Sequence, residues 1–452
     1  MRKRSVAQTI AAGLLAVPAV LLIALVALSR APLHFQFPAD GETDTSRTLF
    51  YREGPQATTK VFLQPATMEK DMSVDRIVIG GTGYTEFKQL LLAHLPKLLV
   101  DDVSTELSVG LGSGMLAGES AGHPGVEHIT VVEIEPSVVA GARLFEKENH
   151  GVLDNPKVHI VVDDIGNFLR TTSGRYQVIT ADEKTADDYA SNGFSYSLDY
   201  YELLRRHLAP GGIVAQWVPT TLPPALYQMV LKTFARGFPH VQLWYFLPAH
   251  ERGPFNSILI GSDRPMVLDY ARIERQLDQD RAAFASLVPF GLTSAAAVLP
   301  HFVADGNTLR RAVEAASINT LDHPRYEFYY PWDFANEQNM KFIADHELIR
   351  RLKREAVPGL LASLAGRVPD PDRLRQSFGA EEQYLSAFQS FLTGIPVADV
   401  YPLFDHTLAL APWNDSLRAQ VYSLYAYIAS AQADPAMRNW LQRRADALYA
   451  TP

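Results

Sequence analysis

Between residues 106 and 262, short β-rich runs alternate with stretches of helical character, and few folds satisfy that alternation. The runs read "ELSVG", "HITVVEI", "KVHIVV", "YQVITA" and "GIVAQWV", then "VQLWYFL" and "SILIGS". Strands alternating with helices build βαβ units, and their crossovers imply a mostly parallel sheet covered by helices on both faces. Only a short connection separates the last two runs, so these two are expected to pair antiparallel. Upstream, "TLFYREGPQATTKVFLQ" and "VDRIVIGG" are β-rich and broken by Gly-Pro and Gly-Gly, which predicts a small antiparallel unit ahead of the main domain. The helix candidate "EFKQLLLAHLPKLL" joins the two, and after Met266 the chain reads as helical. Five regions are expected: an anchor or signal segment at 1–30, a small β domain at 45–85 and an α/β domain at 86–265. An extension follows at 266–342 and a helical tail at 343–452.

Composition narrows what such a chain can bind. With 452 residues, 47% hydrophobic, the chain can bury a large core. A net charge of -9 leaves no basic stripe to neutralise phosphates, which argues against a nucleic-acid partner and accommodates a small cation more easily. There is no cysteine, so disulfides, thiolate nucleophiles and zinc–thiolate sites are excluded. At the N-terminus, Arg2, Lys3 and Arg4 precede an uncharged, mostly apolar stretch from Ile10 to Leu28. That stretch is close to the roughly 20 residues of one helical crossing, so a single-pass membrane helix is expected, with a cleaved signal as the rival. The charge bias, with Arg30 alone after the segment, puts the remaining chain outside the cytoplasm.

The stretch "VGLGSGMLAG" at 109–118 follows the first strand of the main domain and suggests backbone wrapped around a nucleotide. A dinucleotide fingerprint requires G-x-G-x-x-G, whereas Gly110, Gly112 and Gly114 give G-x-G-x-G, which weakens a nicotinamide reading. Glu133 ends the next strand, where an acid can accept both hydroxyls of a ribose. Asp163 and Asp164 end the strand after it, and Asp182 the one after that. Carboxylates thus terminate three successive strands on the edge where open α/β sheets bind ligands.

Taken together, "EGPQATTKV", "AHLPKLL", "VGLGSGMLAG", "VVEIEPSVV", "VVDDIGNFL", "SLDYYELLRRHLAPGGIVAQWVP" and "INTLDHPRYEF" resemble the spermidine synthase-like proteins, especially their bacterial membrane-associated branch. The resemblance covers roughly residues 48 to 335. It implies an α/β, Rossmann-like S-adenosylmethionine-dependent methyltransferase fold preceded by a small antiparallel β domain. It also implies decarboxylated S-adenosylmethionine as co-substrate, with methylthioadenosine released and no metal. Carried over by position, Glu133 holds the ribose, Asp164 accepts from the adenine amino group, and Gln56, Gly110, Gly112, Gly114 and Asp163 belong to the same cofactor site. Asp182 stands at the catalytic aspartate, and Tyr196 matches the tyrosine of a loop-to-helix junction. Two features depart from the pattern. Ser113 replaces the aspartate of the glycine loop, and "ADEKTADDYASNGFSY" replaces the second motif, leaving Asp187 and Asp188 as candidates for the amine.

Three functions remain open at this point. The first is aminopropyl transfer to a polyamine or related amine; the second is methyl transfer from S-adenosylmethionine; the third is a non-catalytic polyamine-binding membrane protein. The partners expected are a small cationic amine, the membrane through the N-terminal helix, and a second copy in a homodimer. The location expected is the bacterial inner membrane.

Overall fold

The computed structural model describes residues 39, 41–83, 85–182, 193–220, 222–247, 256–329, 334–431 and 434–449. The expected membrane segment from Ile10 to Leu28 and the loop residues Asp187 and Asp188 lie outside the described residues. Among the described residues, no helix is long and apolar enough to cross a membrane.

The N-terminal unit is a four-stranded antiparallel sheet in sequential order: β1 (Arg47–Glu53), β2 (Thr58–Gln64), β3 (Glu69–Val74) and β4 (Ile77–Gly81). Alternation along its strands divides its apolar side chains between two faces. Val61 and Met72 join the main core, while Phe62 and Val78 form a small cluster of their own with Ala39.

Next comes α1 (Glu86–Leu99), buried on nearly every side, including Lys88 and Lys97. A cation in such a place needs a partner. Lys97 donates to Glu106 at 2.8 Å and to Ser120 at 2.7 Å. Burial pushes the Lys97 pKa down, and the adjacent Glu106 carboxylate pulls it back up.

The main sheet consists of β5 (Thr105–Val109), β6 (His128–Glu133), β7 (Val158–Val162), β8 (Tyr176–Ala181), β9 (Leu208–Pro219), β10 (His240–Phe246), β11 (Asn256–Ser262) and β12 (Phe302–Asp305). Its order is β12-β10-β11-β9-β8-β5-β6-β7. The strands from β9 to β7 are mutually parallel, whereas β11 lies antiparallel between β9 and β10. This is the Rossmann-like, methyltransferase-type arrangement, and the antiparallel β10–β11 pair follows from their short connection. Strand order reverses at β5, which opens a crevice beyond the carboxyl ends of β5 and β8.

Helix α6 (Pro224–Gly237) precedes β10, and the region after Met266 is mostly helical, with α7 (Tyr270–Gln279), α8 (Ala295–Val298) and α9 (Gly306–Ala312). It also supplies β12, a strand the sequence pattern did not reveal. Four residues are too few to show a period, and β12 is held by pairing with β10, where Phe302 meets Trp244 edge to face at 5.7 Å. The tail comprises α10 (Phe334–Ser363), α11 (Pro371–Leu392), α12 (Val397–Leu410), α13 (Asp415–Ala431) and α14 (Pro435–Tyr449). Ser416 of α13 hydrogen-bonds His301 at 2.9 Å, and Lys353 of α10 donates to the Pro300 carbonyl, so the tail is tied to the start of β12.

Two contacts brace the parts around the crevice. The first is in α2 (Met115–Ala121), where a Cβ on Gly118 would lie 2.1 Å from the Asn149 carbonyl oxygen. Asn149 in turn donates to the Ser113 and Ala142 carbonyls at 2.9 Å each. The second is Glu135, which caps α3 (Pro136–Ala142) by accepting from Ser137 N–H at 2.8 Å. Its other oxygen accepts from the N–H groups of Gln56 and Ala57, at 2.9 and 3.1 Å, and so ties the β1–β2 turn to the main sheet. A Cβ on Gly54 would lie 2.0 Å from this carboxylate, so a larger residue there would displace the Glu135 side chain from the turn.

Alanine normally stabilises a helix interior by about 1 kcal/mol over glycine. Gly118→Ala should do the reverse and lower the urea midpoint, because relieving a backbone overlap costs about 1–3 kcal/mol. A raised midpoint would refute the close packing of α2 on Asn149.

Burial raises the Glu135 pKa, yet the N–H donors of Ser137, Gln56 and Ala57 outweigh burial and hold it below its ordinary 4.5. A depressed carboxylate contributes stability above its unfolded pKa and loses it as pH falls through the folded one. Glu135→Gln should therefore cost about 1–3 kcal/mol at neutral pH, the range for hydrogen bonds to a charged acceptor. That difference should shrink well below pH 4.5, in urea unfolding at the two pH values. A constant difference would show that the carboxylate charge is not what holds the turn.

Candidate functional site

The crevice is a cleft of about 560 Å³ between the N-terminal sheet and the carboxyl ends of the central strands. That is within the size range of small-molecule sites. Its floor is the loop after β5, where Gly110, Gly112 and Gly114 have φ of 86°, 55° and 85°. L side chains rarely adopt these values, so the loop requires glycine. Gly110 and Gly112 line the cleft. Gly114 serves packing, since it begins α2 and a Cβ there would lie 2.8 Å from Val152.

Glu133, buried at the end of β6, holds this loop. One of its oxygens accepts from Leu111 N–H and the other from Glu135 N–H, each at 2.9 Å. Burial pushes its pKa up, and these backbone donors oppose the shift. A carboxylate offers about four acceptor directions, so those left are free to accept from a pair of ligand hydroxyls.

Asp163 and Asp164 follow β7 and line the same cleft. Asp164 caps α4 (Ile165–Thr171) by accepting from Asn167 N–H at 2.9 Å, and Asp163 accepts from the Asn167 side chain at 2.9 Å. Apolar surface lies beside these acids. Ile134, 47% exposed, lines the cleft with Ile165 and Phe194, giving a flat ring somewhere to lie. Gln56 lines the opposite wall from the N-terminal sheet.

Asp182 follows β8 directly and lines the cleft next to the glycine loop. Its Oδ1 accepts from Lys88 Nζ at 2.6 Å. The expected catalytic acid is therefore paired with a buried lysine of α1, a partner that sequence reasoning missed. Residue 88 lies far away in sequence, and a helix buried all round has no stripe to mark its functional face.

Tyr196 is placed differently from its expected catalytic role. It is fully buried, stacked on Tyr326 at 4.7 Å, and is not among the residues lining the cleft. The turn before α5 (Leu198–Arg206) directs it into the core, while its neighbours Phe194 and Ser195 reach the cleft. Ser113 is buried and donates to the side-chain Oε1 of Gln89 at 2.6 Å, so the hydroxyl that stands in place of the family's aspartate is engaged with α1.

Comparison with known proteins agrees with this geometry. A match to the family described as "Spermine/spermidine synthase domain" spans residues 85–266. The chain is 32% identical over 167 residues to polyamine aminopropyltransferase 1 of Streptomyces coelicolor, an alignment covering 36% of this chain and 31% of that protein. It is 32% identical over 191 residues to polyamine aminopropyltransferase 1 of Pseudomonas aeruginosa, covering 42% and 65%. It is 32% identical over 185 residues to the spermidine synthase of Dictyostelium discoideum, covering 40% and 64%. The chain thus spans less than two thirds of the length of these relatives, and about a third of the Streptomyces protein. Over residues 85–266, the chain is similar to the spermine/spermidine synthase domain.

Proposed function

We propose that this protein transfers an aminopropyl group from decarboxylated S-adenosylmethionine to a polyamine or related amine. The observation that carries the reading is the convergence of Glu133, Asp163–Asp164 and Asp182 from three strand ends onto one cleft floored by the glycine loop. Glu133 accepts from the ribose hydroxyls, and Asp164 accepts from the adenine amino group with Ile134 and Ile165 against the ring. Asp182 takes a proton from the acceptor ammonium, which frees a lone pair on nitrogen. That pair forms a C–N bond to the propyl carbon next to the sulfonium, the C–S pair moves to sulfur, and methylthioadenosine leaves. Positioning two reactants in line supplies much of the remaining rate. The names of the relatives support the same chemistry.

A second reading, methyl transfer from S-adenosylmethionine, is favoured by one observation: Ser113 brings no carboxylate to the donor's amine and is already bonded to Gln89. The product decides between them. With decarboxylated donor and a panel of diamines and polyamines, methylthioadenosine should accumulate, and Asp182→Asn should lower kcat by about 10² to 10⁴ with donor binding retained. S-adenosylhomocysteine formed from S-adenosylmethionine would establish methyl transfer instead. Amine binding with no turnover of either donor would leave the non-catalytic reading.

The N-terminal segment supports a single-pass location in the bacterial inner membrane, with the charge bias favouring the periplasmic side, and a homodimer is compatible with this arrangement. If Ile10 to Leu28 is an uncleaved anchor, the protein should stay in the membrane pellet after carbonate washing with its N-terminus intact. A new N-terminus near Arg30 would establish a cleaved signal.

A further inference from the structure

We infer that Lys88 is a positioning residue for the proposed reaction, fixing the Asp182 carboxylate from behind so that one oxygen is presented to the acceptor amine. The inference rests on the reading of Asp182 as the proton acceptor.

The geometry is a short relay of buried groups. Asn256 on β11 accepts from Trp217 Nε1 on β9 at 2.8 Å, and the Lys88 ammonium sits 4.3 Å over the Trp217 ring. Lys88 then donates to Asp182 Oδ1 at 2.6 Å. Lys88 and Trp217 are each 5% exposed and Asn256 is 2% exposed. Asp182 lines the cleft, whereas Lys88, Trp217 and Asn256 do not. The ammonium therefore reaches the carboxylate from the protein side. Among the described residues Oδ2 has no hydrogen-bond partner, which leaves it as the oxygen available to the cleft.

Each link has a physical reason. An alkylammonium is a compact point charge on a flexible stem, and alone it would not hold one orientation. The indole face below it and the carboxylate ahead of it confine it to a single place. A carboxylate at a strand end is otherwise free to turn about two side-chain bonds, and a short charge-assisted bond to one oxygen removes that freedom. The pair is also close to neutral, so Asp182 adds little to long-range capture of a cationic acceptor. Capture then falls to other acids of the cleft, such as Asp75, Asp163 and Asp164. Lys88 should accordingly act on turnover and not on acceptor affinity.

Lys88→Met tests this in the full-length protein. Methylthioadenosine affinity, measured by calorimetry, should stay within about threefold, showing an intact donor site. Turnover should fall by about ten- to a hundredfold, with KM for the amine not raised, and Lys88→Arg should recover part of the loss. The deciding measurement is the double variant. In the Asp182→Asn background, Lys88→Met should cost no more than about twofold, because a residue acting only through Asp182 has nothing left to position. That variant removes both charges and is spared a buried unpaired carboxylate. Should Lys88→Met alone fail to fold, Trp217→Leu replaces it, with a smaller loss in kcat and the same silence beside Asp182→Asn. Wild-type kcat in Lys88→Met, a raised KM with kcat intact, or equal losses in both backgrounds would each overturn the assignment. Wild-type protein without turnover would remove the underlying reading of the site as well.

Discussion

The site depends on one buried carboxylate. Glu133 accepts from Leu111 N–H on one side and Glu135 N–H on the other, and so fixes the glycine loop against the end of β6. Three positive-φ residues in five would otherwise give that loop many conformations. Two residues on, Glu135 repeats the device at larger scale by holding the Gln56 turn of the N-terminal sheet. Two acids of one short segment, "EIE", thereby set both the floor and one wall of the cleft. In each case the carboxylate bonds backbone N–H groups, whose positions are set by the main chain and not by a rotamer.

Behind the cleft, α1 places two lysines inside the protein, and each meets an acid at a strand of the parallel sheet. Lys97 pairs with Glu106 within β5, near the start of the strand and far from the crevice, where the pair joins helix to sheet. Lys88 pairs with Asp182 at the opposite end, where the strand opens to the crevice. Removing one member of such a buried pair leaves an uncompensated charge, typically a loss of about 3–5 kcal/mol, so both pairs constrain how α1 can shift over the sheet.

Much of this was legible in the chain because it is encoded locally. The alternation of strands and helices, the antiparallel last pair, the glycine loop and the acids at strand ends all follow from short stretches read in order. What escaped was set by contacts distant in sequence. Glu135 looks like an ordinary helix N-cap until its second oxygen is seen to meet Gln56 and Ala57. Lys88 sits in an apolar helix, and nothing in "EFKQLLL" shows that it turns toward residue 182. The short run "FVAD" becomes a strand through its antiparallel pairing with β10. The position of Tyr196 beside a helix start points to the cleft, and the packing against Tyr326 that draws it inward comes from a residue more than a hundred positions away.

The continuity of the core bears on how the molecule comes apart. One connected set of buried side chains runs from Val61 in the N-terminal sheet, through the parallel sheet, to Ala445 in the last helix. Where modules share a core in this way, opening of one withdraws packing from the next. The tail packs as an outer layer of that shared core. Shortening it would strip cover from Tyr245, whose hydroxyl lies 3.2 Å from His346 Nδ1, and from the β10–β12 edge, and an uncovered apolar strand edge is a template for pairing with other chains.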